Sequence, residues 1–215
     1  MKNNDKLFSL ILWSSFILLI GVSSFAQQDE KDTSKSLTEM ASDNISRGHY
    51  NVAITYLNQA IKDNPNYAEA YIKRGLAYLR NGKVNQAISD YNKAIELDPN
   101  ISAAYSGRGS AWGRKGNFDQ VISDCNKAIE LNPKHFKAYY NRGSLWYRKA
   151  NYDQSISDFS NVIELNPRNA DAYNFRGLSW ILKREINKGC SDFQKACELD
   201  KCKYYNEAKQ KGFCE

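Results

Sequence analysis

The sequence predicts an all-α protein, an α-solenoid built from five helical pairs and closed by a C-terminal capping helix. The first observation behind this prediction is the proline spacing, because Pro65, Pro99, Pro133 and Pro167 follow one another at steps of 34 residues. The second is that an alanine–tyrosine pair, followed after two residues by arginine–glycine, recurs with the same step. One pair of helices cannot bury its apolar face alone, whereas stacked pairs can, so this fixed period indicates a continuous stack.

Each copy contains two stretches of about a dozen residues in which apolar side chains recur at helical spacing. Glycine separates the two stretches in the first three copies, at Gly48, Gly82 and Gly116, where a left-handed residue commonly ends a helix. Ala150 and Arg184 stand at the equivalent positions of the last two copies. A left-handed backbone would cost each of them roughly 0.5–1 kcal/mol or more, so we expect these two turns to be built differently.

Small and aromatic residues also recur at fixed places, as Gly109 and Tyr105 do in the third copy, and this pattern resembles that of the tetratricopeptide repeat family. Five copies fit, at residues 34–67, 68–101, 102–135, 136–169 and 170–203. A capping helix is predicted to follow them at residues 204–215. The resemblance implies a right-handed solenoid that binds a protein or peptide in its concave groove and catalyses no reaction. Lys201 replaces the proline expected in the fifth copy, where the cap would cover the last apolar face.

The beginning of the chain has the features of a secretory signal peptide. A basic head precedes an apolar stretch over residues 7–20, and small residues at 24 and 26 provide a cleavage site, so residues 1–26 are interpreted as the signal and 27–33 as a linker. The alternative is an uncleaved anchor, because residues 7–25 approach the length of a membrane span. With cleavage we expect a periplasmic or secreted protein that has no stable membrane insertion.

Composition and motifs favour a binding protein over an enzyme. The net charge is +6, and the 25% of residues that are charged include no run of five like charges, so nucleic acid is not the expected partner. No glycine-rich phosphate loop, nucleophile elbow or helical histidine pair occurs, and His49 and His135 are interpreted as surface residues, so no cofactor or metal is predicted. The alternative function is that of a secreted effector or an accessory subunit of a cell-envelope enzyme complex.

The five cysteines all follow the signal, where disulfides can form. Cys190 lies before the turn that leads into the cap and Cys214 lies at a similar distance after it, so antiparallel helices would bring them together; Cys197 and Cys202 form the second predicted pair. Four reduced thiols are the alternative, and a zinc site is disfavoured because the spacings of 7, 5 and 12 residues differ from those of structural zinc sites. Cys125 occupies a core position and is predicted to be a buried free thiol.

Four arginines recur with the repeat period, and each precedes an aspartate by 16 residues: Arg74 with Asp90, Arg108 with Asp124, Arg142 with Asp158, and Arg176 with Asp192. The first copy has Met40 and Tyr56 at these two places, so both members of the pair are changed together. This joint change favours an ion pair that links the two helices of each copy. A basic row that binds a ligand is the alternative.

In the family that the chain resembles, the first helix of each copy lines the inner curve. The candidate groove residues on these helices are Lys73, Leu76, Arg80, Ser106, Ser110, Arg114, Lys137, Tyr140, Asn141, Tyr147 and Arg148. Their aromatic, hydroxyl, amide and basic groups suit an extended or helical peptide with acidic groups, and a solvated face is the alternative. One subclass of this family binds the tail carboxylate of a chaperone through a lysine, an asparagine and an arginine at set places of the inner face. Such a partner is not expected here, because only Asn141 matches these residues.

Overall fold

The computed structural model describes residues 32–214, which contain eleven helices and no strand. The helices are α1 over residues 32–46, α2 (Tyr50–Asp63), α3 (Ala68–Arg80), α4 (Val84–Leu97), α5 (Ser102–Lys115), α6 (Phe118–Leu131), α7 (Phe136–Arg148), α8 (Tyr152–Leu165), α9 (Ala170–Leu182), α10 (Ile186–Glu198) and α11 (Lys203–Gln210). The prediction of an all-α solenoid is therefore confirmed. The predicted signal peptide, residues 1–26, lies outside the described residues.

The helices form a continuous stack of pairs. Within a repeat α3 packs on α4, α5 on α6, α7 on α8 and α9 on α10, and each second helix also packs on the first helix of the next repeat. Residues 32 and 33, the described part of the segment interpreted as a linker, are already helical. At the other end α11 stops at Gln210, so the capping helix is shorter than the predicted range 204–215.

The core follows the repeat period along the second helices. One position of each second helix is at most 3% exposed, and its occupants are Leu57, Tyr91, Cys125, Phe159 and Phe193. Cys125 is thus packed as a core side chain, and no disulfide involves it in the described part of the chain. Its burial raises the pKa of the thiol to about 12, and its position agrees with the predicted buried free thiol.

Small residues allow the two helices of a repeat to cross closely, and the fifth repeat shows why. A Cβ atom added to Gly177 would lie 2.8 Å from the ring of Phe193 and 3.1 Å from the carbonyl oxygen of Gly189. One added to Gly189 would lie 2.6 Å from Ile181. Neither glycine can be replaced without moving α9 and α10 apart, because the obstacles include backbone as well as side chains.

The expectation that two turns would be built differently is wrong. Ala150 has φ of 56° and Arg184 has φ of 66°, in the same left-handed region as Gly116 at 79°. The hydrogen bonds match as well: the amide of residue 116 donates to the carbonyl of residue 113, and that of residue 150 donates to the carbonyl of residue 147. Stacking holds consecutive turns in one register, so the non-glycine residues adopt the shape that the array requires.

The C-terminal cap brings both predicted cysteine pairs together. The Cα atoms of Cys190 and Cys214 are 5.5 Å apart and those of Cys197 and Cys202 are 3.9 Å apart, with each pair of sulfurs at disulfide distance. The first pair joins α10 to the segment after α11, and the second closes the turn between these helices. A cysteine pair at each end therefore holds the eight-residue helix α11 against the last repeat.

Candidate protein-interaction surface

The first helices of the repeats form the concave face. Neighbouring first helices contact each other directly, α3 with α5, α5 with α7 and α7 with α9, whereas neighbouring second helices make no comparable contact in residues 32–214. The helices that approach each other most closely lie on the inner side of a curved stack. The surface of α3, α5, α7 and α9 is therefore the groove in which the sequence placed its candidate binding residues.

All four predicted arginine–aspartate pairs are formed. In the pair of Arg108 and Asp124, Nε donates to Oδ2 at 2.9 Å and Nη2 donates to Oδ1 at 2.7 Å. The other three pairs have the same two-bond geometry at 2.7–2.9 Å. Because Asp124 is only 3% exposed, these pairs lie between the two helices of a repeat and do not form a ligand-binding row.

Each of these arginines also reaches the preceding repeat. Its Nη1 donates to a side-chain oxygen on the preceding second helix, and the acceptors are Asn58 for Arg74, Asn92 for Arg108, Asn126 for Arg142 and Ser160 for Arg176. The guanidinium lies 5.4–5.7 Å above the ring of the tyrosine three residues earlier. The hydrogen bond to Asp124 raises the pKa of Arg108 above its usual value, so this arginine stays charged and joins three helices.

An aromatic cluster occupies the groove at the fourth and fifth repeats. The ring of Phe175 stacks on that of Phe159 at 5.4 Å and meets the edges of Tyr140 at 6.1 Å and Tyr147 at 5.7 Å. Burial, with the negative charge of Asp171 nearby, raises the pKa of Tyr140 to about 12. Both tyrosines remain partly exposed, so this cluster offers a partner a rigid apolar shelf with hydroxyl groups.

Two polar atoms beside this shelf lack hydrogen-bond partners among the described residues. They are Oγ of Ser144, which lies between Tyr140 and Tyr147 on α7, and Oδ1 of Asn174, the neighbour of Phe175 on α9. Asn174 is 4% exposed. An unpaired buried polar atom costs about 1–3 kcal/mol, so these two atoms are locally destabilising features of the fourth and fifth repeats.

The structure divides the candidate groove residues into two groups. Three take part in hydrogen bonds between repeats: Arg114 donates to the carbonyl of Leu79 at 2.7 Å, Asn141 donates to the carbonyl of Ser106 at 3.1 Å, and Ser106 is itself 4% exposed. Apart from Ser106, all of the candidate residues keep exposed or partly exposed side chains. Those without such a hydrogen bond in residues 32–214 are Lys73, Leu76, Arg80, Ser110, Lys137, Tyr140, Tyr147 and Arg148. The three arginines of the set lie at the C-terminal ends of their helices, on the rim of the groove.

His135 has a structural contact that its interpretation as a surface residue missed. Its Nε2 lies 2.6 Å from Oγ of Ser106, which belongs to the preceding first helix. Burial, with the positive charge of Lys137 nearby, lowers the pKa of this histidine. His135, the residue that precedes α7, therefore ties the start of this helix to α5 in its neutral form.

The repeat geometry agrees with the comparison to known families. A family model described as Tetratricopeptide repeat matches residues 68–101, 102–135 and 136–169, and another, described as TPR repeat, matches residues 44–82. The chain belongs to the tetratricopeptide repeat family. Members of this family generally mediate protein–protein interactions, and their fold is typically a non-catalytic scaffold. No curated protein sequence matches the chain.

Several solved structures are similar to the chain over most of their length. MamA is 27% identical, covers 84% of this chain and 95% of its own, and superposes with a TM-score of 0.61. A thermophilic tetratricopeptide repeat protein of Thermus thermophilus is 19% identical over 82% and 99% of the two chains, with a TM-score of 0.71. YrrB, described as having an unusual peptide-binding site, is 20% identical over 87% and 97%, with a TM-score of 0.61.

The described part of the chain contains neither a candidate metal cluster nor a candidate membrane span. Among residues 32–214 no group of three or more histidine, cysteine, aspartate or glutamate side chains is placed to hold a metal ion. None of the helices described for this part of the chain combines the length and apolar character of a membrane span.

Proposed function

We propose that this tetratricopeptide repeat protein holds a segment of a partner protein in the groove formed by α3, α5, α7 and α9. The observation that carries the proposal is the partly exposed aromatic shelf of Tyr140, Tyr147 and Phe175 on the inner helices α7 and α9. Aromatic rings supply contact area at little cost in conformational entropy, and the tyrosine hydroxyls can form hydrogen bonds with a peptide backbone.

The charge of the groove suggests which side chains the segment carries. On the inner helices Lys137 is exposed and Lys73 is partly exposed, and none of the salt bridges in the described residues involves them. Arg80 and Arg148 add positive charge at the rim. We therefore propose a partner segment whose apolar residues lie on the aromatic shelf and whose acidic residues lie near Lys73 and Arg80 of the second repeat and near Lys137 and Arg148 of the fourth.

We also propose that the protein acts outside the cytoplasm. The signal-like residues 1–26 support export, and the two cysteine pairs at disulfide distance suit an oxidising compartment. The mass of the mature N-terminus would decide between a cleaved signal and a retained anchor.

Site-specific photo-crosslinking in cells tests the groove. A photoreactive amino acid at Ser110 on α5 should capture the partner, whereas the same amino acid at Ser123, an exposed position on the second helix α6, should not. The two positions belong to the same repeat and both carry serine, so expression and local structure are matched. Capture of the same protein from both positions, or from Ser123 alone, would contradict binding in the groove.

A further inference from the structure

The turns inside the repeats and the turns between them differ sharply in charge. The four turns within the second to fifth repeats, residues 80–83, 114–117, 148–151 and 182–185, contain eight basic residues and one acidic residue. The four turns between repeats, residues 64–67, 98–101, 132–135 and 166–169, contain two basic residues and one acidic residue. Because the repeats stack in register, each set of turns lies along one edge of the solenoid, and one edge is therefore strongly basic.

The basic edge is a continuous surface, because neighbouring turns touch. Arg114 donates to the carbonyl of Leu79 at the preceding turn, and the guanidinium of Arg148 lies 5.0 Å above the ring of Phe118. Lys183 forms an ion pair with Asp153, which follows the turn of the fourth repeat. The turns thus make one row of charges with its members about one helix spacing, roughly 10 Å, apart.

Most of these charges remain available to a partner. All eight basic side chains are exposed, and within residues 32–214 Lys183 is the one member with an ion pair. Within four positions of these turns in the sequence, the acidic residues are Glu185 and the first-turn residues Asp119 and Asp153. Eight positive charges against three negative charges leave +5 on this edge, out of a net +6 for the whole chain.

Aromatic rings hold several of the cations in place, and apolar side chains flank the row. The ammonium of Lys83 lies 5.9 Å from the centre of the Tyr78 ring, and that of Lys115 lies 5.4 Å from the centre of the Trp112 ring. At the two ends of the same edge, Val52 in the first turn of α2 is 46% exposed and Leu182 at the end of α9 is 49% exposed.

We propose that this edge docks on an anionic membrane surface. Basic side chains attract acidic lipid headgroups, and each lysine or arginine near the membrane surface contributes a substantial part of the binding free energy. Val52 and Leu182 favour a bilayer over a soluble polyanion, because only a bilayer can bury exposed apolar side chains beside its headgroups. Docking by this edge leaves the concave groove open, so it would bring the groove and its partner segment to the membrane.

The test compares the full chain with two triple variants that lose the same charge. Lys83→Gln, Lys115→Gln and Lys149→Gln remove three lysines of the basic edge, none of which is a candidate groove residue. The control replaces the exposed Lys62, Lys134 and Arg168 by glutamine at the opposite edge. Any contribution from residues 1–31 is common to the three proteins and cancels in the comparison. Circular dichroism verifies that all three are folded to the same extent.

Binding is measured by co-sedimentation with vesicles of phosphatidylglycerol and phosphatidylcholine in equal parts, and with phosphatidylcholine alone. We expect the basic-edge variant to bind the anionic vesicles about 100-fold more weakly than the unchanged chain, because each lysine that is lost lowers the affinity several-fold. The control should bind nearly as well as the unchanged chain. The difference should disappear at about 1 M salt, where the Debye length is only about 3 Å.

Three results would overturn the proposal. The first is equal binding by the unchanged chain and the basic-edge variant, and the second is an equal loss in both variants, which would indicate a simple net-charge effect. The third is binding to polyglutamate or single-stranded DNA without binding to anionic vesicles, which would assign the edge to a soluble polyanion.

Discussion

Replacing Arg142 by methionine should destabilise the solenoid far more than the same replacement at an exposed ion pair. Arg142 binds both oxygens of Asp158 and also reaches Asn126 on the preceding repeat. The Asp158 side chain is only 4% exposed, so losing its partner leaves a buried carboxylate without compensation. Stranding a buried charge costs about 3–5 kcal/mol, a large part of the 5–15 kcal/mol that typically stabilises a protein.

Arg47 provides the matched control. Its ion pair with Asp43 has side chains that are 66% and 54% exposed, and such pairs contribute about 0–1 kcal/mol. Urea denaturation, followed by circular dichroism at neutral pH, measures the free energy of unfolding of both variants. Equal losses for Arg142→Met and Arg47→Met would refute the assignment of the repeated arginines as the links between helices.

The pH dependence of the Arg142→Met variant is a second measure of the same effect. Burial already raises the pKa of Asp158, and without Arg142 nothing in the pair opposes that rise. A carboxyl whose pKa is higher in the folded state binds its proton more tightly there, so the variant should regain stability as pH falls towards that pKa. The deficit relative to the unchanged chain should therefore shrink in mildly acidic buffer.

Three other predictions concern local features of the repeats. Ala150→Gly should stabilise the protein by about 0.5–1 kcal/mol in urea denaturation, because it relieves a left-handed alanine, whereas Gly116→Ala should destabilise it. In denaturant without reductant, alkylation followed by mass spectrometry should label one thiol, Cys125, and with reductant it should label all five cysteines. The pKa of His135 is lowered in the folded state, so stability should be full above about pH 6.5 and fall below it, and His135→Gln should weaken that dependence in acid titrations of the unfolding free energy.

Each of these predictions has a result that would contradict it. The account of the turns is wrong if Ala150→Gly and Gly116→Ala change stability in the same direction. Five labelled thiols in denaturant without reductant would show that the cysteine pairs are not bonded in the isolated protein. An acid dependence that is identical with and without His135 would assign the loss of stability to other groups.

The sequence predicted the features that recur with the repeat period. The ion pairs could be predicted because an arginine and an aspartate 16 residues apart, such as Arg108 and Asp124, recur in the second to fifth copies. Both residue types are absent from the equivalent places of the first copy. The asparagines that complete the arginine contacts also recur, at Asn58, Asn92 and Asn126, so the same comparison could have found them. A periodic array makes these relations visible because one local geometry is repeated several times.

Features that depend on a single junction could not be predicted in this way. The contact between His135 and Ser106 joins residues 29 positions apart, and no other copy has the same two residues. The left-handed Ala150 was missed because its local conformational cost was given more weight than the stacking that fixes the turn. The unpaired Asn174 is apparent only when the neighbours that bury it are known.

The most direct test of the central claim is the affinity of the crosslinked partner for two matched variants. Ser110→Trp places a bulky ring on α5 inside the groove, and Ser123→Trp places the same ring on the outer helix α6. If the partner segment lies in the groove, isothermal titration calorimetry should show at least roughly tenfold weaker binding for Ser110→Trp, about 1.4 kcal/mol, and unchanged binding for Ser123→Trp. Equal affinities for the two variants, with melting temperatures unchanged, would contradict the account.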